Sequence, residues 1–185
     1  MSALNPAAFL MEHLDVFTEG PLPGPVLDLA CGDGRNGIFL ATKGLFVVCC
    51  DRSSKSLERA QGLADENGVT VKLWQIDLER EGEDALPVDG YGGILVFRYL
   101  HRPLIPNIRT ALRKGGVLMY ETFTVEQRRF GRPHNPDFLL KPGELRQWFD
   151  DWEVIDFFEG VRMGPERAVA QILCRKPAAR PLLPP

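Results

Sequence analysis

Apolar and polar positions along the chain alternate between two periods. Over residues 6–18 (PAAFLMEHLDVFT) the apolar positions recur three and four apart, which predicts a helix, whereas 25–30 (PVLDLA) is a short apolar run ending at a glycine turn. A helix over 36–44 (NGIFLATKG) closes on Gly44, a strand over 45–51 (LFVVCCD) follows, and 53–68 reads as a helix with a serine cap and a terminal Asn-Gly. Strands follow at 69–77 (VTVKLWQID) and 90–100 (GYGGILVFRYL), then a helix at about 103–113 and a strand at 115–123 (GGVLMYETF). An irregular basic stretch occupies 124–141, and a helix starts after Lys141-Pro142-Gly143. The last two strands, 152–160 and 166–177, are joined by a short loop and predict an antiparallel hairpin.

This order predicts an α/β fold: a single-domain, doubly wound, Rossmann-like sheet of seven strands, mostly parallel, with helices on both faces and a C-terminal antiparallel hairpin. The first strand is expected at the centre, with ligands outside its carboxyl end. The domain is expected to cover 1–176, and the proline-rich 177–185 to be a flexible tail.

The turn after the first strand, GDGRNG at 32–37, spells G-x-G-x-x-G, which by itself is a weak sign of a dinucleotide site. What departs from a dinucleotide strand is Asp28. A carboxylate at the end of an apolar strand costs several kcal/mol, by order of magnitude, unless a partner offsets it, and a cationic ligand group would be such a partner. Two more acids end strands two and three: Asp51 and Asp77.

VLDLACGDG resembles the first motif of class I S-adenosylmethionine-dependent methyltransferases, and GRNGIFLA is similar to the subgroup around tellurite-resistance methyltransferases. The resemblance spans about 22–176. It implies S-adenosylmethionine as cofactor, S-adenosylhomocysteine as product, and no metal. It further implies that Asp28 holds the methionine amino group, that Asp51 accepts the ribose hydroxyls, and that Asp77 takes the adenine amino group with Leu78 beside the ring. Ala30, Cys31, Gly32, Gly34, Arg35, Asn36, Arg52 and Phe97 complete the implied cofactor set. Asp77 has a second reading, as a cap on the turn that follows it.

Acceptor residues are expected beyond strands four and five. FRYLHRPL lacks the Asn/Asp-Pro-Pro-Tyr signature of amino-group methyltransferases. His101, as a histidine just past a strand end in the acceptor region, is either an acid–base group or a cap or brace for the next helix. Tyr99 either walls the methyl-transfer site or belongs to the core. Arg98 and Arg102 either meet an anion or form surface ion pairs, and Glu121 is either a loop anchor or an acceptor-side carboxylate. The 124–141 stretch is long enough to be a lid, with Arg128, Arg129, Arg132 and His134 over the acceptor, or else a loop pinned to the core by Asn135-Pro136 and Phe138.

Charge sharpens the acceptor question. Residues 1–90 carry a net −8, residues 91–149 a net +6 and residues 150–185 a net −1, within an overall −3. If the arginines of the middle block converge, they favour an anionic or electron-rich small acceptor. An acidic chain without an RNA-binding module argues against nucleic acid, although an RNA methyltransferase and a non-catalytic cofactor-binding partner stay open. The sequence sets no oligomeric state. The four cysteines show neither C-x-x-C spacing nor further ligands, and no apolar stretch is long enough to span a bilayer, so the expectation is a reduced, cytoplasmic protein without membrane contact.

Overall fold

The computed structural model describes residues 4–80 and 86–178. The tail predicted to be flexible lies outside these residues, apart from Pro177 and Ala178, which carry no regular structure. Among the described residues the strands are β1 (Val26–Leu29), β2 (Val47–Asp51), β3 (Lys72–Gln75), β4 (Tyr91–Phe97), β5 (Leu112–Phe123), β6 (Glu153–Arg162) and β7 (Arg167–Arg175). They form one sheet in the order β3-β2-β1-β4-β5-β7-β6, parallel from β3 to β5, with β7 antiparallel to both β5 and β6. The seven-stranded, mostly parallel sheet and the closing hairpin are those expected from the sequence.

Strand periodicity sorts the apolar residues into two layers. Leu27 and Leu29, with Val48, Ile94, Val96 and Tyr120, meet Ile105 and Ile108 of α5 (Ile105–Ala111) and Leu145 of α6 (Glu144–Trp148). Val26, Val47, Leu95 and Met119 meet α1 (Ala8–Glu12), α2 (Asp15–Thr18), α3 (Arg35–Thr42) and α4 (Ser54–Glu66) on the other face. Asp28 shares Val26's direction, so its carboxylate is driven under α3.

Three boundaries differ from the sequence reading. The helix expected over 6–18 breaks at His13, whose φ of −127° leaves the helical region, and whose ring packs edge-on against Phe9 and bonds Asp156 of β6 at 3.0 Å. The helix expected at 103–113 is a 3-10 turn over Arg102–Leu104 followed by α5, and Leu112 already pairs with Tyr91 in the sheet. Strand β3 stops at Gln75, so Asp77 stands two residues beyond it on the connecting turn.

The 124–141 stretch is closed at its base by a bridge between Thr124 and Leu140 and holds two 3-10 turns, Val125–Arg129 and Pro136–Phe138. Gln127 is buried inside the loop. Its side chain donates to the Arg132 carbonyl at 3.2 Å and accepts from the Ala168 N–H of β7 at 2.9 Å. The segment is therefore pinned to the sheet from within.

Candidate functional site

Two adjoining cavities open along the carboxyl ends of β1, β2 and β4, of about 530 and 320 Å³, and share Ala30 and Arg98. The smaller is lined by Asp28, Cys31, Gly32, Asp33, Arg35, Asn36, Arg59 and Phe97 besides. Asp28 is 2% exposed and accepts the Gly37 N–H at 2.8 Å. One backbone donor does not offset full burial, and desolvation pushes its pKa up to about 7. A Cβ at position 37 would lie 2.9 Å from both the Asp28 carboxylate and the Cys49 sulfur, so a side chain there would displace the buried acid. The sequence thus leaves room for a buried acid without neutralising it.

The turn between β1 and α3 supplies the next features. Gly32 has φ +58°, with open space where a Cβ would stand, and its N–H donates to Asp51 at 2.9 Å. Gly34, expected at the cofactor, lines neither cavity. It has φ +74° and packs α3 onto α4, where a Cβ would lie 3.0 Å from that of Ala60. Asn36 is buried, and its Oδ1 takes the Ala7 N–H at 2.8 Å.

The larger cavity is lined by Asp51, Arg52, Ile76, Asp77, Leu78, Glu79, Tyr99 and Leu100, and, farther along, by Thr122, Phe123, Arg132, Pro133 and Phe138. Asp51 takes one N–H on each oxygen, Gly32 on Oδ2 and Ser53 on Oδ1, both at 2.9 Å, so each oxygen keeps a lone pair. Asp77 is exposed and accepts the Glu79 N–H at 3.1 Å, so the turn-capping role weighed for it coexists with a place in the cavity wall.

Several acceptor-side expectations fail on geometry. Tyr99 is in the cavity, but its hydroxyl sits among Glu79, Asp77 and Cys50, at the β2–β3 end and not beside β5. His101 lines neither cavity; its backbone carbonyl accepts the Leu104 N–H at the start of the 3-10 turn, and its side chain makes no capping hydrogen bond there. Arg102 is wholly engaged elsewhere, with Nε and Nη2 on the Glu144 carboxylate at 2.7 and 2.9 Å and further bonds to the Asp137 and Leu139 carbonyls. Arg129 pairs with Glu126, and Arg128, Arg129 and His134 are exposed outside both cavities. Of the basic block, Arg98 and Arg132 are cavity-lining.

Glu121 is 2% exposed and lines neither cavity. It accepts from Gln171, whose carbonyl oxygen takes Nε and Nη2 of Arg162. It lies close enough to Arg98 to hold up a guanidinium pKa that desolvation, Arg35 and Arg167 lower. Arg98 itself is left-handed, with φ +57°, and its N–H is fixed on the Glu121 carbonyl at 2.8 Å. Arg167 Nε is buried with no hydrogen-bond partner among the described residues. Arg98 therefore has two guanidiniums, those of Arg35 and Arg167, and one buried carboxylate, that of Glu121, as charged neighbours. Arg167 and Arg59 escaped the sequence reading because one sits in a strand and the other in a helix, with no motif around either.

A protein-family model, the tellurite resistance protein TehB, matches residues 12–165. The chain belongs to the TehB family. A TehB from Haemophilus influenzae, described as a probable S-adenosyl-L-methionine-dependent methyltransferase, is 25% identical over 158 residues, covering 80% of this chain and 54% of that one. The chain thus spans about half the length of the curated TehB relatives it matches. A tRNA 5-carboxymethoxyuridine methyltransferase of Escherichia coli O157:H7 is 30% identical over 176 residues, covering 80% of this chain and 67% of that protein. The crystal structure of Haemophilus influenzae TehB superimposes with a TM-score of 0.66 at 22% identity, over 89% of this chain and 62% of that one. A magnesium protoporphyrin IX methyltransferase from Synechocystis with bound S-adenosylhomocysteine gives 0.66 at 19% identity, over 91% and 81%. The cleft of this TehB-family chain fits the cofactor such proteins use. Asp28 is an under-neutralised buried acid suited to an ammonium, Asp51 keeps two lone pairs suited to a diol, and Gly32 leaves open the space a side chain would fill.

Proposed function

We propose that this chain transfers the methyl group of S-adenosylmethionine to a small anionic or electron-rich acceptor. When bound, the cofactor supplies an electrophilic sulfonium methyl, so the chain's own residues have to orient, desolvate and hold charge. Asp28 takes the methionine ammonium, and Arg35 and Arg59 stand in the same cavity for its carboxylate. Asp51 accepts the ribose hydroxyls, and Asp77 and Leu78 meet the adenine. Phe97, Phe123, Pro133 and Phe138 exclude water from the cleft between the cavities and beyond.

The observation that carries the acceptor class is Arg98, which lines both cavities and has the guanidiniums of Arg35 and Arg167 and the buried carboxylate of Glu121 as its charged neighbours. An excess of guanidinium charge at the seam of the two cavities, with Arg132 farther along the larger one, favours an oxyanion or carboxylate in the cleft. We propose a cytoplasmic location, a reading that four free cysteines among the described residues support. Among the described residues no helix is long and apolar enough to cross a membrane.

The test is transfer of labelled methyl to panels of oxyanions, carboxylates, thiols and tRNA. Turnover confined to small anions or thiols supports the reading. Turnover on tRNA alone overturns the small acceptor, and tight S-adenosylhomocysteine binding without turnover on any panel overturns the enzyme.

A further inference from the structure

The acids of the cleft and its outer apolar wall come from different strands. Asp51, Asp77 and Glu79 line the larger cavity at and after the ends of β2 and β3, and Asp28 and Asp33 of β1 and its turn line the smaller one. Past Ala30 and Arg98 the larger cavity runs on to the end of β5, where Thr122, Phe123, Arg132, Pro133 and Phe138 line it. With the nucleoside at β2 and β3 and the methionine over β1, this end is left for the acceptor. Among the described residues its lining holds no carboxylate, histidine or cysteine. Its charged group is the guanidinium of Arg132, with that of Arg98 at the seam.

The apolar part of this end is fixed from outside the cavity. Phe138 is 49% exposed, yet the carbonyls on either side of it, those of Asp137 and Leu139, are both bound by the Arg102 guanidinium at 2.9 Å. The Arg132 carbonyl, which precedes Pro133, takes the amide of the buried Gln127 at 3.2 Å. Neither Arg102 nor Gln127 lines the cavity. The Phe138 ring is therefore apolar surface held at a cavity wall, where a ligand with an apolar body would cover it.

We infer that the acceptor is a carboxylic acid with an apolar body, methylated on a carboxylate oxygen. This rests on the cofactor placement proposed above and narrows the anionic acceptor named there. Arg132 and Arg98 suit the carboxylate. Phe123, Pro133 and Phe138 suit the body, and a bare inorganic oxyanion would leave them facing water. The lack of a base at this end selects the acceptor atom. A hydroxyl or an amine carries a proton that a base has to take as the methyl arrives, whereas a carboxylic acid is already ionised well below neutrality. The carboxylate oxygen forms the new O–CH₃ bond with its own lone pair while the S–CH₃ bond breaks and that pair stays on sulfur. Anion and sulfonium become a neutral ester and a thioether, and no proton moves.

The experiment measures calorimetric binding of benzoate, phenylacetate, octanoate, acetate, 2-phenylethanol and selenite to the chain saturated with S-adenosylhomocysteine, and labelled-methyl transfer to the same compounds and to thiophenol. At least one of the three apolar acids should bind about tenfold or more tighter than acetate, selenite and 2-phenylethanol, the scale of one buried apolar group or one charged contact, and yield its methyl ester. At saturating cofactor its kcat should stay flat from about pH 7 to 9, since no acceptor proton is removed. Arg132→Gln and Phe138→Ala should each weaken binding of that acid and raise its KM about fivefold or more, with S-adenosylhomocysteine affinity within about twofold of the wild type. Acetate or selenite binding as tightly as every apolar acid overturns the inference, as does unchanged acid binding in both variants. Transfer to selenite, thiophenol or 2-phenylethanol but to no apolar acid overturns it too and leaves the methyl transfer proposed above standing. Binding of S-adenosylhomocysteine without transfer to any compound overturns the inference together with the enzyme, and no binding of S-adenosylhomocysteine overturns the cofactor placement.

Discussion

Replacing Asp28 by Asn should make the ligand-free protein more stable and the cofactor site weaker, in a pH-dependent way. The carboxyl is buried, and desolvation lifts its pKa from 3.8 to about 7. The unfolded chain therefore gives up this proton near pH 4 and the native chain only near pH 7. Between those values the native state holds more protons, so stability falls as pH rises, and the loss is complete above about pH 7. Some three pKa units correspond to about 4 kcal/mol as an upper figure. Asn keeps an oxygen for the Gly37 N–H. At about pH 8 the variant should thus exceed the wild type by about 2–4 kcal/mol, or roughly 5–15 °C in Tm, and near pH 4.5 the two should coincide. Denaturant melts of both proteins across that range are the assay. Binding should move the other way. An ammonium on Asp28 needs the carboxylate ionised, so wild-type affinity for S-adenosylhomocysteine should fall about tenfold per pH unit below about 7, with proton release on binding, and Asp28→Asn should lose both effects. A variant less stable than the wild type at pH 8, or wild-type binding flat from pH 5.5 to 7, would refute the account of Asp28.

Further outcomes follow from other parts of the site. Asp51→Asn should weaken S-adenosylhomocysteine binding by about 1–3 kcal/mol, measured by calorimetry, because charge-assisted bonds to a diol are lost while Gly32 and Ser53 keep an acceptor on one side. Arg102→Gln should cost about 2–3 kcal/mol in denaturant melts, since it strands the mostly buried Glu144 carboxylate and frees two carbonyls, and amide exchange should speed up around residues 137–140. Gly34→Ala should destabilise by more than about 1 kcal/mol, because it combines a left-handed φ with a 3.0 Å approach to Ala60. Arg167→Met should raise the KM for an anionic acceptor about tenfold or more while S-adenosylhomocysteine affinity stays within twofold, which steady-state kinetics and calorimetry read separately.

The sheet was legible because its central strands are buried apolar runs closed by turn residues, and the placing of Asp28, Asp51 and Asp77 along one cleft was legible because they sit at or just beyond three successive strand ends. The acceptor side was not. A net +6 over 91–149 is a property of composition, and the fold spends most of those cations on itself. Arg102 clamps Glu144 and two carbonyls, Arg109 binds Asp151 and the Trp148 carbonyl and lies over the Phe149 and Trp152 rings, and Arg113 holds the Asp89 carbonyl. An arginine used as a brace and one aimed at a ligand look alike in a sequence, since what distinguishes them is whether carbonyls and carboxylates from distant segments reach the guanidinium first. Arg167, which none reach at Nε, came from a segment whose net charge is slightly negative.

The cleft's shape depends on two residues with no sequence signature for it. Ala30 and Arg98 adopt φ of +52° and +57°, a region that costs a residue with a Cβ about 1 kcal/mol, and they are the two residues shared by both cavities. They follow β1 and β4, which are neighbours in the sheet with Leu29 paired to Val96, and the strand order reverses direction between these two strands. Both strands therefore bend away at the same point, and the cleft opens where the bend parts the connections on either side. For Arg98 the bend also fixes its N–H on the Glu121 carbonyl, so the strained backbone and the guanidinium near Arg35 and Arg167 are set by one contact. Glycine would remove the strain at position 98 but also the cation. An arginine held in a glycine's conformation is what a charge required at the seam of the cleft would look like.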